Sequence, residues 1–305
     1  MSGFSRRDFF IGASGLAAGA FATHFASRYW LFNYTQAGKQ YVLQTKQETL
    51  ARHLLPSEGK TLPIALNGAS KKLVEEGVID VNKWNTLYAK RNLEVPGWIG
   101  QSFVADSSQP MRMDANSAPF LLNILWALGI SNKTQFNVRS PLQGKRLANF
   151  ASTGGWRLGK EKNGAAYFNK VANVPLDGNQ EQLVHEMANS IYRPCCNNST
   201  FFQDCNHGSA MLGLLQLGAS QGRSEEELYA AALTANVYWF PGQYSKIALY
   251  FQEVEGKSIN DVSARDVLSR KFSAASGFKG NIVRKLAERD LLPGSSKRGS
   301  QGCSV

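Results

Sequence analysis

The segment from Ser117 to Gly129 constrains the fold more than any other part of the chain. Phe120, Leu121, Ile124, Leu125 and Leu128 recur at helical spacing and spread over a wide apolar face. A helix that is apolar nearly all round must be covered by other elements. Asn116 or Ser117 starts it, and Pro119 falls in the first turn, where a missing N–H costs nothing. Gly129 is expected to close it. A second apolar helix runs from Ser209 to Ser220 and ends near Gly222. No sustained alternation of β-branched residues appears anywhere, so the fold class expected is mainly α.

The remaining signals are weaker but consistent. A helical pattern spans Gln44 to Leu55, and another spans Leu66 to Glu76 with Gly77 at the C-cap position. Asp80 can cap a short helix through Trp84 and Leu87. Residues 93–114 hold Pro96, Gly97, Gly100 and Pro110 and read as loop. Residues 131–180 are rich in Gly and Asn and read as irregular, with a short helix near Ala165 to Val171. Glu181 to Tyr192 is the next helix. Ser224 with Glu227 forms a capping box for a helix to about Trp239, which Pro241 breaks. Tyr244 to Val254, a segment starting at Asp261 or Ser263, and Asn281 to Arg289 complete the helices.

This pattern gives three parts. Residues 1–30 form a targeting segment or N-terminal anchor, 31–292 one mainly helical domain with long irregular loops, and 293–305 a flexible tail. Hydrophobic residues make up 43% of the chain and aromatics 11%, enough for a buried core, which excludes disorder as the main state. No apolar stretch in the body reaches the roughly 18 residues needed to span a bilayer, which excludes a polytopic membrane protein. Four cysteines are too few for a disulfide-built scaffold.

Cys195, Cys196, Cys205 and His207 lie in one short segment, within a loop expected over residues 193–208 between two helices. Thiolate and imidazole together suit soft or borderline metals: copper, zinc or iron. The spacing departs from the usual zinc pairs, and adjacent cysteines on an extended chain point opposite ways. Both reach one ion only through a turn, which Pro194 could shape. Asp204 could orient a ligating histidine. His185, Asn189 and Tyr192 share a helix face leading toward the loop, so His185 is a candidate extra ligand or base.

Two other readings of the same cysteines stand beside the metal site. Cys196 and Cys205 could close a plain disulfide in an oxidising compartment. Alternatively, Cys195 and Cys196 could form a strained vicinal disulfide, with Cys205 as resolving thiol. No C-x-x-C-H, C-x-x-C, G-x-S-x-G or H-E-x-x-H motif is present. No general acid or base stands out, so catalysis stays open. Ala151 to Trp156 reads as a tight surface turn, and Asn236, Tyr238 and Trp239 as polar groups ending an apolar helix. Cys303 reads as a spare thiol on the tail.

Ser5, Arg6, Arg7, Asp8, Phe9 and Phe10 precede a mild apolar run from Ile11 to Ala26. This opening resembles the twin-arginine (Tat) export signal of bacteria, with Phe10 at the usual leucine and no final lysine. The resemblance implies recognition by the Tat translocase through Arg6 and Arg7. It also implies export of an already folded chain, often one loaded with a cofactor in the cytoplasm. Ala20, Phe21 and Ala22 offer a cleavage site before Thr23, and an uncleaved signal would leave a membrane anchor. The expected location is the periplasm or the outer face of the inner membrane. The cysteine segment itself resembles the short PCYCGC-type motif of some exported bacterial proteins, although here two cysteines are adjacent. That likeness implies an exported thiol site.

The formal net charge of +11 is spread along the chain. Nucleic-acid binding is not expected for an exported protein, and an anionic lipid or wall polymer suits the charge better.

Overall fold

The computed structural model describes residues 35–292. The segment read as an export signal, with Arg6 and Arg7, and residues 293–305 with Cys303 lie outside the described residues. Among the described residues two strands and fifteen α-helices occur in the order α1 (Gln36–Leu54), β1 (Lys60–Ala65), α2 (Ala69–Glu75), α3 (Val81–Lys90), α4 (Gly97–Ser102) and β2 (Pro110–Met113). Then come α5 (Ala118–Ser131), α6 (Gln135–Arg139), α7 (Ala151–Gly154), α8 (Gly178–Ser190), α9 (Asn206–Ser220), α10 (Glu225–Trp239) and α11 (Pro241–Val254). Short helices α12 (Ala264–Val267), α13 (Arg270–Ser273), α14 (Ala275–Gly277) and α15 (Arg284–Glu288) close the described chain. The protein is thus a mainly α single domain, as the apolar helices require. No helix among the described residues is long and apolar enough to cross a membrane.

Helices α5 and α9 form the centre, and both are buried along nearly their whole length. Their backbones touch. A Cβ on Gly129 would lie 1.9 Å from the Ser209 carbonyl oxygen, and one on Gly213 would lie 2.1 Å from the Leu125 carbonyl oxygen. Gly129 therefore does not end the helix, as expected from sequence. It marks the crossing, and α5 continues to Ser131. Gly213→Ala should force the pair apart at a cost of about 1–3 kcal/mol. The unfolding midpoint should fall by roughly 3–10 °C. A midpoint within a degree of the parent, by calorimetry, would contradict this contact.

Local signals set most helix ends. Asp80 accepts from the Asn82 and Lys83 backbone N–H groups, and Gly77 has φ +71 after α2. The Ser224–Glu227 box starts α10. Helix α8 begins earlier than expected because Asp177 and Gln180 form a capping box of their own. Residues 93–114 are not all loop, since they contain α4 and β2. Strand β2 pairs antiparallel with β1, Lys60 opposite Met113 and Ala65 opposite Pro110, with an irregular register between Thr61 and Ala65. Pro63 lies in that irregular stretch and has no N–H to give the ladder.

Two apolar cores adjoin. The larger surrounds α5, α9 and α10; the smaller joins α11, α1 and the C-terminal turns. Leu55, Leu233 and Trp239 pack against both. The cysteine segment lies along this seam, because Cys195 packs on the smaller core while α9 belongs to the larger.

Candidate metal centre

The chain leaves α8 at Ser190 and crosses the seam before α9. The crossing is pinned at both ends. Asn236, buried on α10, donates to the Tyr192 carbonyl at 2.9 Å and to the Tyr244 hydroxyl at 3.0 Å. Thr200 N–H donates to the Ile191 carbonyl at 2.9 Å, and Phe201 N–H to the Ala188 carbonyl at 2.9 Å. Ala275 N–H donates to the Cys196 carbonyl at 2.9 Å, and Ser152 N–H to that of Asp204 at 2.9 Å. Ser152 belongs to α7, so the Ala151–Trp156 segment is not a surface turn. It is a buried buttress under the loop, and Ser152 and Thr153 are fully covered.

Pro194 lies inside a turn that Cys196 N–H closes on the Arg193 carbonyl at 3.5 Å. This turn solves the problem of adjacent cysteines. The Sγ atoms of Cys195 and Cys205 lie 3.8 Å apart. The ligand atoms of Cys195, Cys205 and His207 all lie within 4.8 Å of one another, as do those of Cys196, Asp204 and Cys205. Cys205 is common to both sets, and these groups could hold a metal ion. None of the three cysteines is joined in a disulfide.

His207 is not in the loop. Helix α9 starts at Asn206, earlier than expected, with Cys205 as its N-cap, so His207 is in the first turn. Its ring packs on Phe240, centroids 4.4 Å apart, and on Trp239 at 5.9 Å. A helix start is a rigid mount, and its partial positive charge favours a thiolate at the cap.

Arg193 is the residue that sequence reasoning missed. Its side chain is 1% exposed. Nε donates to Cys205 Sγ at 3.2 Å, Nη1 to the Asn198 carbonyl at 3.1 Å, and Nη2 to the Phe202 carbonyl at 3.3 Å and Asp204 Oδ1 at 3.1 Å. Asp204 therefore orients the arginine, with Asn198 Nδ2 on its other oxygen at 2.8 Å, and not a histidine. Nothing in a one-dimensional reading separates this arginine from the others among 34 basic residues. Its position directly before Pro194, Cys195 and Cys196 is the only sequence signal.

The electrostatics follow from these contacts. Hydrogen bonds from Cys195 and Cys196, then the charges of Arg193 and His207, hold the Cys205 thiol well below its ordinary range against the cost of burial. Cys196 receives the opposite push: its bond with Cys195 favours ionisation, but Cys205 and burial raise it. Burial and the Cys205 charge push the Asp204 carboxyl up, with Arg193 opposing. Arg193 stays protonated although burial disfavours its charge, because the sulfurs of Cys205, Cys196 and Cys195 surround it.

Gly208 makes room for the guanidinium. A Cβ there would lie 2.4 Å from Arg193 Nη2, 2.8 Å from Cζ and 3.1 Å from the Gln203 Cα. Because the arginine is fixed by four hydrogen bonds, Gly208→Ala should displace it. The expected cost is about 1–3 kcal/mol, read as a lower unfolding midpoint. An unchanged midpoint would show that Arg193 can shift freely.

His185 falls in neither donor set. It packs on Phe136 and Phe201 and lines a separate hollow of about 290 Å³ with Arg139 and Glu181. The chain matches no protein-family model, no curated protein and no solved structure.

Proposed function

We propose that this is an exported metal-binding protein that holds a borderline divalent ion, zinc before iron or copper, through Cys195, Cys196, Cys205 and His207. The observation that carries this reading is the 3.8 Å separation of the Cys195 and Cys205 sulfurs, with the His207 imidazole beside them. Metal–sulfur bonds of about 2.3 Å at the tetrahedral angle put two sulfurs about 3.8 Å apart. The donor chemistry agrees, since Cys195, Cys205 and His207 bring two sulfurs and one imidazole nitrogen together, and Cys196, gathered with Cys205 and Asp204, is the nearest further sulfur to complete a zinc-type set.

Charge favours a divalent ion. Three cysteine sulfurs and the Asp204 carboxyl face the Arg193 guanidinium, so the set becomes strongly anionic once a metal displaces the thiol protons. A divalent ion brings it nearer neutrality than a monovalent one. With Cys196 as the fourth donor no position would remain open for substrate, which suits holding or stabilisation rather than hydrolysis. Export through a Tat-type signal complements this role. A site filled in the cytoplasm would cross the membrane with its thiols already protected by the metal.

The test is elemental mass spectrometry on protein expressed with its signal in a Tat-competent host and purified without chelators. About one equivalent of zinc, iron or copper per chain is expected, with the metal lost on denaturation. Metal-free protein that also refuses added zinc would overturn the reading.

A further inference from the structure

We propose that Cys195 and Cys205 form a two-electron reducing pair toward hydroperoxides, and that its oxidation empties the metal site. This rests on the metal-site reading above and adds a second activity to the same cluster. The pairing differs from both disulfides that the sequence brings to mind.

Three observations select the pair. The Cys195 and Cys205 sulfurs face each other at 3.8 Å. Cys196 Sγ also lies within 4.8 Å of Cys205 but is held on the Asn198 carbonyl at 3.8 Å, and a bond between Cys195 and Cys196 would close a strained ring across one peptide. Exposure divides the labour: Cys195 is half-buried, whereas Cys205 is 8% exposed and fixed by Arg193 Nε at 3.2 Å. The accessible sulfur meets the oxidant, and the covered one waits beside it.

The steps balance. Cys195 gives its thiol proton to water and its thiolate attacks one peroxide oxygen; the O–O bond breaks, Cys195 becomes a sulfenic acid, and hydroxide or alkoxide leaves. The Cys205 thiolate then attacks the Cys195 sulfur, the S–S bond forms, and a second hydroxide leaves. The two leaving oxygens take protons from water. Two electrons pass from two thiolates to one peroxide. A metal held by four donors retains only Cys196 and His207 and dissociates.

Hydrogen peroxide is the probe, added in equal amount to zinc-loaded full-length protein. A chromogenic chelator reads zinc release, and mass spectrometry of peptides reads the crosslink. The expected result is one zinc released per peroxide consumed, two thiols lost, a Cys195–Cys205 crosslink, and Cys196 still open to alkylation. Cys196→Ser should keep the crosslink. In Cys205→Ser the crosslink should vanish and a sulfenic acid at Cys195 should become trappable by a 1,3-dione. A crosslink through Cys196, or zinc retained after two thiols are lost, would overturn the proposal. Should the protein bind no zinc at all, the metal reading fails, yet the crosslink assay still decides the pair.

Discussion

Cys205→Ser is expected to weaken zinc binding by roughly two orders of magnitude in competition titrations with a chromogenic chelator. A structural zinc site of four donors is worth about 10–16 kcal/mol, or about 3 kcal/mol for each donor. That share corresponds to about a hundredfold in affinity. Cys205 should show the largest loss of any single ligand, because it alone belongs to both donor sets and caps helix α9. His185→Ala is the internal control and should leave affinity unchanged, since His185 stands apart in its own hollow. Equal losses in the two variants would mean that the titration reports general damage.

The largest effect on stability should come from Arg193→Met. The substitution removes four hydrogen bonds and strands Asp204 beside Cys196 and Cys205 in a largely covered site. Breaking a buried ion pair from one side costs about 3–5 kcal/mol. For a chain of this size that is roughly 10 °C in the unfolding midpoint. Arg193→Lys should recover only part of it, because an ammonium cannot reproduce the planar fork. The gap between parent and variant should also depend on pH. Asp204 already has a raised carboxyl pKa in the fold, and losing Arg193 raises it further. A raised acid destabilises most at pH values above its folded pKa, where the buried charge is present. The gap should therefore be widest near neutrality and narrow as acid protonates Asp204. A gap that widened on acidification would contradict this role of Arg193.

What was legible in the sequence was local. Asp80 and Ser224 with Glu227 mark helix starts by side-chain caps that act within one turn, and each stands where its residue type requires, whereas Pro241 reads as a breaker and in fact opens α11. The buried α5 helix was legible because its apolar residues leave no face for solvent. Long-range causes were not legible. Gly129 reads as a stop, and only the Ser209 carbonyl pressed against it reveals a crossing. The β1–β2 pairing is concealed because the two strands lie far apart in the chain and Pro63 falls where the register is irregular.

The site divides the same way. The cysteines and His207 were visible as a cluster, and Pro194 as the turn that gathers them. Arg193 was not visible, because burial is a property of the surroundings and not of the residue. Asp204 reads in sequence as a partner for histidine for the same reason: only the folded chain places a guanidinium 3.1 Å from it. Ser152 became a support of the loop because α7 folds against Asp204, far away in sequence.

X-ray absorption at the zinc edge of the loaded protein is the most direct test of the metal centre. Three sulfur neighbours at about 2.3 Å and one nitrogen at about 2.0 Å are predicted, falling to two sulfurs in Cys205→Ser. A coordination shell of oxygen and nitrogen alone would contradict a site built from Cys195, Cys196, Cys205 and His207.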